Sequence, residues 1–507
     1  MSKKLLIAVA ALFGLHLILA AWFVLHGDIL FGYNGDIARD FFLMQTTAIK
    51  KIALIGAHSG GIPGVFHGPA WIYLNLPAFV LAQGNPIGVG WFWVLLSITS
   101  VIITGYIAKK LFDTQTAVLT ALLYSTYLIS ATKGFTNPFG AVILFPIFFY
   151  FIYQYHLSPK VRDLIIALFL VGCVIQFQIA FGGPILLLTI ILVLHKLKQT
   201  KQWKQLAAFA VLAIPLSTYI LFELRYKFLQ TTSVINYISG KENFAKQSLL
   251  TVLQARAQEF LIDGLYIFTA VPTLIALIIV IACGYLIYTQ RAKIKNIKLY
   301  KLFFFFYAGY WTLMLLYRGF VFDYYYWPFL PMVVMLFVSL ARYIPRLVYI
   351  TVFAVLYIAT LHFGYDTTVQ YAKQYIGQDD DSWTFSRQLA EQVYADAPDE
   401  FGYYVFTPDL NAIGVKYAFH YTQKHQIKQG TLNTKKPVTY VIFAPPPKDK
   451  PYDNGKWWKT DQVNIKRAPD SMAQYKDGYR VEKYLLTEDE VAIQNDPGLV
   501  NTFVLPE

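Results

Sequence analysis

Cysteine is nearly absent: Cys173 and Cys283 are the only two in 507 residues. Both lie inside apolar runs, where a thiol behaves as a small hydrophobe, so no disulfide framework is expected. Charge is scarce as well. Charged residues make up 14% of the chain, against about 25% in soluble domains. There is no Walker A loop, no Rossmann glycine fingerprint, no HExxH and no Cys/His cluster with metal-ligand spacing. Chemistry driven by ATP or by a redox group is therefore unsupported. The apolar runs carry few ionisable groups at mid-length, where a proton-coupled transporter would usually need them. No repeat of fixed period is present.

What the chain has in abundance is hydrocarbon. Hydrophobic residues reach 56% and aromatic residues 17%, a share expected where Tyr, Trp and Phe line bilayer interfaces. The apolar runs are long and continuous rather than alternating, so the fold class is a polytopic α-helical membrane protein and not a β-barrel. The net charge of +13 raises a nucleic-acid reading. Basic loops on the cytoplasmic side account for it better, and no nucleic-acid partner is expected. The run 5–25 follows Lys3-Lys4 and lacks a convincing cleavage site, so it reads as a retained first helix in a multi-pass protein of the cell (plasma) membrane.

Runs long enough to cross, or nearly so, occur at about 5–25, 88–108, 115–131, 137–155, 163–181, 183–197, 206–222, 264–288, 300–318, 324–341 and 346–362. The run 69–83 is short and contains Pro69 and Pro77, which suits an interfacial or re-entrant helix. If it does not cross, Lys3/Lys4, Lys109/Lys110, Lys160/Arg162, the lysines 196–204, the basic cluster 291–301 and Arg342/Arg346 all fall on one side. The positive-inside rule then predicts eleven spans, a cytoplasmic N-terminus and an extracytoplasmic C-terminus.

This arrangement predicts a transmembrane domain over 1–363 with two outer loops, 26–87 and 223–263, the second polar and expected to be mobile. Composition changes sharply after it. Residues 364–507 carry Asp379-Asp380-Asp381 and Pro445-Pro446-Pro447. Strand patterns at 403–406 and 439–443 and helical patterns near 384–395 and 409–422 predict a small extracytoplasmic α/β domain.

The chemistry-bearing residues gather in the outer segments. Asp36, Arg39 and Asp40 share one face if the segment is helical. Ionisable groups at a membrane boundary are a functional signal. Asp36 and Asp40 read either as a general base with its partner or as carboxylates that cap and tie the loop. His67-Gly68-Pro69 starts a short helix over 70–81, since Pro favours the first helical turn. His67 reads either as a phosphate or acceptor contact or as a turn histidine. Trp71 and Tyr73 read as interface anchors. Glu223 and Arg225 end a span on the outer side, where Arg225 either meets a lipid phosphate or snorkels. Arg318 and Asp323 flank an outer turn before Tyr324-Tyr325-Tyr326, an aromatic belt or a sugar-stacking platform centred on Tyr325. Asn137-Pro138 reads as helix-start chemistry.

These residues resemble the GT-C membrane glycosyltransferases. The likeness is to glycosyltransferase family 39 and its bacterial relatives, among them protein O-mannosyltransferases and the aminoarabinose transferase of lipid A. Such proteins commonly carry Asp-Glu-Ala-Arg, or Asp-Gln-Ala-Arg-Asp, in the first outer loop and later His-Gly-Pro-Leu-Tyr-Tyr-Tyr. Here the corresponding residues are Asp36-Ile37-Ala38-Arg39-Asp40 and His67-Gly68-Pro69-Ala70-Trp71-Ile72-Tyr73. Phe222-Glu223-Leu224-Arg225 and Tyr326-Trp327-Pro328-Phe329-Leu330-Pro331 are also similar. The resemblance covers residues 1–362. Ile37 replaces the second acidic residue, a role that Asp40 would have to fill.

The resemblance implies an inverting glycosyltransferase of GT-C type, moving a hexosyl or pentosyl group from a polyprenyl-phosphate-sugar donor to a hydroxyl of a protein, lipid or glycan on the outer face. It implies catalysis by Asp36 and Asp40, with Arg39, His67, Glu223, Arg225, Arg318 and Tyr325 on the substrate side. Membrane lipids are the further partners. No cofactor is expected; a divalent metal at the acidic loop is not excluded, although the ligand set is thin. Two other readings stay open: a lipid-linked glycan transporter or flippase, which requires a polar route across the bundle, and a GT-C scaffold that has lost activity.

Overall fold

The computed structural model describes residues 3–32, 35–239, 248–262, 265 and 270–499. Parts of the 223–263 loop and the last residues of the tail lie outside the described residues.

Helices dominate. In chain order they include α1 (Lys3–Ala20), α2 (Asp36–Lys50), α3 (Ala70–Leu81), α4 (Pro86–Leu111), α5 (Thr114–Ala131), α6 (Pro138–Leu157), α7 (Val161–Phe177) and α8 (Ile179–Thr200). After a 3-10 segment, Trp203–Ala213, come α9 (Ser217–Arg225), α10 (Leu229–Ile238), α11 (Leu249–Ile262), α12 (Thr273–Thr289), α13 (Ile297–Met314), α14 (Leu330–Ser339) and α15 (Arg346–Tyr365). The C-terminal segment adds α16 (Trp383–Asp396) and α17 (Ile413–Lys424).

A helix lies in each apolar run named above, among the described residues. Among the described residues four helices are long and apolar enough to cross a membrane: Pro86–Leu111, Pro138–Leu157, Ile179–Thr200 and Arg346–Tyr375. A fifth is possible if Trp203–Ala213 and Ser217–Arg225, which meet at 67°, form one bent span. Other apolar helices, α3 among them, are only 10–17 residues long.

By its contacts the chain divides into two units. The first comprises residues 1–21, 47–76 and 92–368. Its helix ends follow local chemistry. Asp113 caps α5 by accepting the Thr116 amide at 2.8 Å, and Pro138 opens α6 where a missing N–H costs nothing. Between α7 and α8 a single extended residue, Gln178, breaks the helix. The Asn137 side chain donates to the Phe177 carbonyl at that break, 2.7 Å away, and so satisfies a helix-end acceptor. Trp71, expected at the interface, is buried, because the helix α3 turns it inward beside Asn75, whose side chain accepts the Trp93 indole N–H at 2.9 Å. Tyr73 is partly exposed and bonded to both backbone groups of Ala53.

The second unit comprises residues 22–46, 77–91 and 369–507. Its centre is a five-stranded sheet of β1 (Glu400–Phe406), β2 (Gln429–Leu432), β3 (Val438–Phe443), β4 (Ser471–Gln474) and β5 (Arg480–Leu485), in the order β2-β1-β3-β5-β4. The pairs β1–β2 and β1–β3 are parallel, with Tyr403 opposite Leu432 and Tyr440; β3–β5 and β4–β5 are antiparallel. The near-continuous apolar run of β1 fits a strand covered on both faces. On one side Tyr404, Phe406, Val441 and Phe443 pack with Trp458 and Tyr484; on the other Tyr403 stacks on Phe419 of α17, 4.4 Å between centroids.

Candidate functional site

The acidic motif opens α2, as its spacing predicts. Asp36 is the first helical residue, where the helix dipole favours a negative charge. Arg39 reaches back one turn to Asp36, Nη1 to Oδ1 2.5 Å, and grips Asp40 Oδ1 through Nε at 3.2 Å and Nη2 at 3.0 Å. The two carboxylates are therefore clamped by one guanidinium yet differ in access. The Asp36 side chain is 39% exposed, that of Asp40 only 3%. Burial opposes the Arg39 charge, but Asp40 and Asp36, by charge and hydrogen bond, outweigh it and hold the guanidinium above its ordinary pKa. Arg39 stays cationic, and Asp36 is the carboxylate that a solute can reach.

Aromatic packing seats this turn. Ile37, Ala38 and Phe41 are buried. Phe41 meets Phe31, Phe79 and Tyr417 at centroid distances of 5.4, 5.9 and 5.5 Å, and the Tyr417 hydroxyl donates to the Gly84 carbonyl at 2.7 Å. One turn further on, Gln45 bonds His420. Burial, then the nearby Lys424 charge, pushes the His420 imidazole below its ordinary pKa.

The strand-like approach to α2 is fastened as well. Phe31 and Gly32 donate their amides to the Asp381 carbonyl at 2.7 and 2.8 Å. A Cβ at Gly32 would stand 2.7 Å from the Asp381 Cα, so only glycine permits this approach. Asp28, fully buried, accepts the hydroxyl of Ser382 and the amides of Ile29 and Thr384. Burial pushes its carboxyl up to about 6 even against those bonds. Neither Asp28 nor Ser382 was singled out by sequence reasoning. A lone Asp after a first helix carries no pattern, and Asp379-Asp380-Asp381 stood out only as a change in composition.

The remaining candidates belong to the first unit. His67 is 5% exposed, in a hairpin-like loop where its amide donates to the Ala57 carbonyl and its carbonyl accepts the Gly56 amide, both 2.8 Å. Neighbouring Phe66 is held by the Gln230 side chain at its amide (2.8 Å) and the Tyr219 hydroxyl at its carbonyl (3.0 Å). Glu223 is occupied as a cap for α10: its oxygens accept the amides of Gln230 (3.0 Å) and Thr231 (3.1 Å) and the Thr231 hydroxyl (2.6 Å). Arg225 is exposed, its guanidinium 5.5 Å from the Tyr226 ring. Arg318 is also exposed, its amide donating to the Tyr237 hydroxyl at 3.0 Å. Tyr325 is buried, its ring packed by Phe322 and Tyr324. The structure thus brings together Asp36, Arg39 and Asp40 in one unit, and sets His67 and Glu223 near α10 in the other through Phe66 and Gln230.

Arg256 of α11 was missed. It is 5% exposed, pairs with Glu259 at 2.7 Å and donates to the carbonyls of Met314 (3.1 Å), Tyr317 (2.9 Å) and Gly319 (2.6 Å). One side chain so closes the C-terminus of α13 and the turn that carries Arg318. The i,i+3 Arg–Glu spacing was its only trace in the sequence. Among the described residues no group of three or more His, Cys, Asp or Glu side chains is placed to hold a metal ion.

No family model matches this sequence, and no curated protein does. Solved structures do match. ArnT from Cupriavidus metallidurans in the apo state aligns with a TM-score of 0.56 at 11% identity, over 97% of this chain and 99% of that one. The same protein bound to undecaprenyl phosphate aligns with a TM-score of 0.56 at 12% identity, over 97% and 100%. At this identity the likeness is one of fold, and it spans the helices and the C-terminal sheet alike. The chain accordingly shares the fold of the ArnT structures, which supports the resemblance read from its acidic loop and His-Gly-Pro segment.

Proposed function

We propose that this chain is an integral-membrane inverting glycosyltransferase that moves a sugar from a polyprenyl-phosphate carrier to a hydroxyl acceptor on the outer face of the membrane. The observation that carries the reading is the clamped pair at the start of α2: one carboxylate open to solute and one sequestered, tied by a single arginine. Support comes from the full-length fold likeness to a protein solved with undecaprenyl phosphate. Eleven spans, an inward N-terminus and an extracytoplasmic C-terminal domain that engages acceptor or partner belong to the same proposal.

The chemistry follows from the charges. Asp36 takes the acceptor's hydroxyl proton as its oxygen attacks the anomeric carbon. The bond from that carbon to the phosphate oxygen breaks on the opposite face, which inverts the configuration. The lipid monophosphate leaves with the electron pair. Cations suffice to stabilise it, and Arg225 and Arg318 are the proposed groups, with His67 as a further phosphate or acceptor contact. Arg39 and Asp40 hold Asp36 in place. No cofactor enters the scheme.

The test is transfer of radiolabelled sugar from polyprenyl-phosphate donors to membrane acceptors, wild type against Asp36→Asn at matched expression and folding. Transfer by the wild type, lost in the variant by about a hundredfold or more, supports the base assignment. Equal transfer removes Asp36 from the mechanism. Absence of transfer across donors and acceptors overturns the enzyme reading in favour of transport or a scaffold.

A further inference from the structure

The first unit also contains an apolar groove of about 410 Å³ between α1, α4 and α5. Its walls include Leu17, Ile98, Val101 and Ile102, and it exists because small residues, Gly14, Gly105 and Ala121 among them, stand where larger ones would fill it. Its polar wall residues are already satisfied. His16 bonds Ser125 through Nδ1 and the Tyr357 hydroxyl through Nε2, both 2.7 Å, and the Ser97 hydroxyl donates to the Val94 carbonyl at 2.7 Å. A groove with no open donor or acceptor does not hold water or a sugar well; it suits a hydrocarbon chain.

One end of this groove is strongly basic. Helices α4 and α5 are joined by a tight turn at Phe112 and Asp113, and α1 runs antiparallel to α4, since Val24 beyond its C-terminus packs on Gly90 near the start of α4. Lys3 and Lys4 of α1 therefore lie at the same end as Lys109 and Lys110, the last turn of α4. Asp113, the carboxylate at that end, is already bonded to Arg342 and to the Thr116 amide. From Gly105 to Lys109 is one helical turn, roughly 6 Å, and from Phe13 to Lys4 roughly 14 Å. Both fall within the depth of one leaflet, about 15 Å.

We propose that this groove is a binding site for an anionic phospholipid, one acyl chain lying against Gly14 and Gly105 and the phosphate headgroup held by the lysines at the basic end. Basic pockets between membrane helices recruit anionic headgroups, and the charge here selects the headgroup while the groove selects the chain. The site shares no residue with the acidic turn and does not depend on the proposed reaction.

Gly14 gives a clean test, because a Cβ built there meets no atom within 4 Å. Gly14→Leu fills the groove and gains helix propensity without crowding a neighbour. Purified protein is delipidated in mild detergent, then titrated with phosphatidylglycerol or phosphatidylcholine of identical chains. Binding is followed by native mass spectrometry and by the thermal midpoint. The wild type is expected to bind phosphatidylglycerol roughly tenfold or more tightly than phosphatidylcholine. Gly14→Leu should lose the lipid-bound species and the midpoint shift while its lipid-free midpoint is kept or raised. Lys109→Gln/Lys110→Gln should bind the two lipids alike. Equal wild-type affinity for both lipids, or undiminished phosphatidylglycerol binding by Gly14→Leu, overturns the proposal. So does a groove that answers only to undecaprenyl phosphate, or a Gly14→Leu variant whose sole change is dissociation of a dimer.

Discussion

Ser382 gives its hydroxyl proton to Asp28 across 354 residues of sequence, while the same oxygen accepts the Phe385 amide at the start of α16 and the Gly377 amide beside it. The pair is buried. Burial raises the Asp28 carboxyl to about 6 and, with the charges of Asp380 and Asp379, raises Asp381 to about 7. A carboxyl whose folded pKa exceeds its unfolded value stabilises the fold at low pH and loses that contribution as pH rises through the folded value. The thermal midpoint of the protein is therefore expected to fall between about pH 4 and pH 7, the Asp28 share reaching about 3 kcal/mol. Asp28→Asn should flatten this slope. Midpoints measured at half-unit intervals for both proteins decide it, and parallel curves would dismiss Asp28 as the source.

Ser382→Ala tests the same latch without a charge change. It removes a helix cap and one donor to a buried carboxylate, and is expected to cost about 2–4 kcal/mol in denaturant unfolding. A loss under 0.5 kcal/mol would show that the latch is unimportant.

Within the clamp at α2, substitutions of Arg39 and of Asp36 should differ in cost. Arg39→Ala leaves the sequestered Asp40 without its guanidinium and is expected to destabilise the protein by about 3–5 kcal/mol. Arg39→Lys keeps the charge but not the forked geometry, and should fall between. Asp36→Asn breaks only a partly exposed pair, a change of under about 1 kcal/mol, so its effect on transfer is separable from folding. Equilibrium unfolding of the three variants gives the ranking; an unstable Asp36→Asn would remove it as a probe of the base.

Glu223 and Arg225 stand two residues apart and are expected to fail in opposite ways. Glu223→Ala should lower stability by about 1 kcal/mol through the lost cap of α10, with the KM of donor unchanged. Arg225→Ala should leave stability intact and raise the donor KM about ten- to a hundredfold, the range of a hydrogen bond to a charged group. Donor titrations beside thermal melts separate the two; an unaltered KM in Arg225→Ala would take this arginine off the phosphate.

Arg256→Met removes three carbonyl contacts and the ion pair with the largely buried Glu259 carboxylate. A loss of about 3–5 kcal/mol is expected. Limited proteolysis at the 314–319 turn should quicken in the variant, and an unchanged cleavage rate would dissociate Arg256 from that turn.

Much of this was legible in local pattern. Helix α3 was expected over 70–81 and runs from Ala70 to Leu81; strands expected at 403–406 and 439–443 are the ends of β1 and β3; Asp36 and Arg39 do meet at i,i+3. Continuous apolar runs, a proline at a first helical turn and carboxylates one turn apart are written into neighbouring residues, and neighbours are what a sequence displays. Such local chemistry determined a helical chain with long apolar segments, a C-terminal sheet and an acidic turn outside the first helix. Tertiary structure alone decided that residues 22–46 pack with the C-terminal segment, that Asp28 finds Ser382, that Glu223 is spent on a cap and that Arg256 closes a turn more than fifty residues away. Each of those outcomes depends on which distant donor reaches a group that burial has deprived of water, and that partner is chosen by packing, not by spacing along the chain.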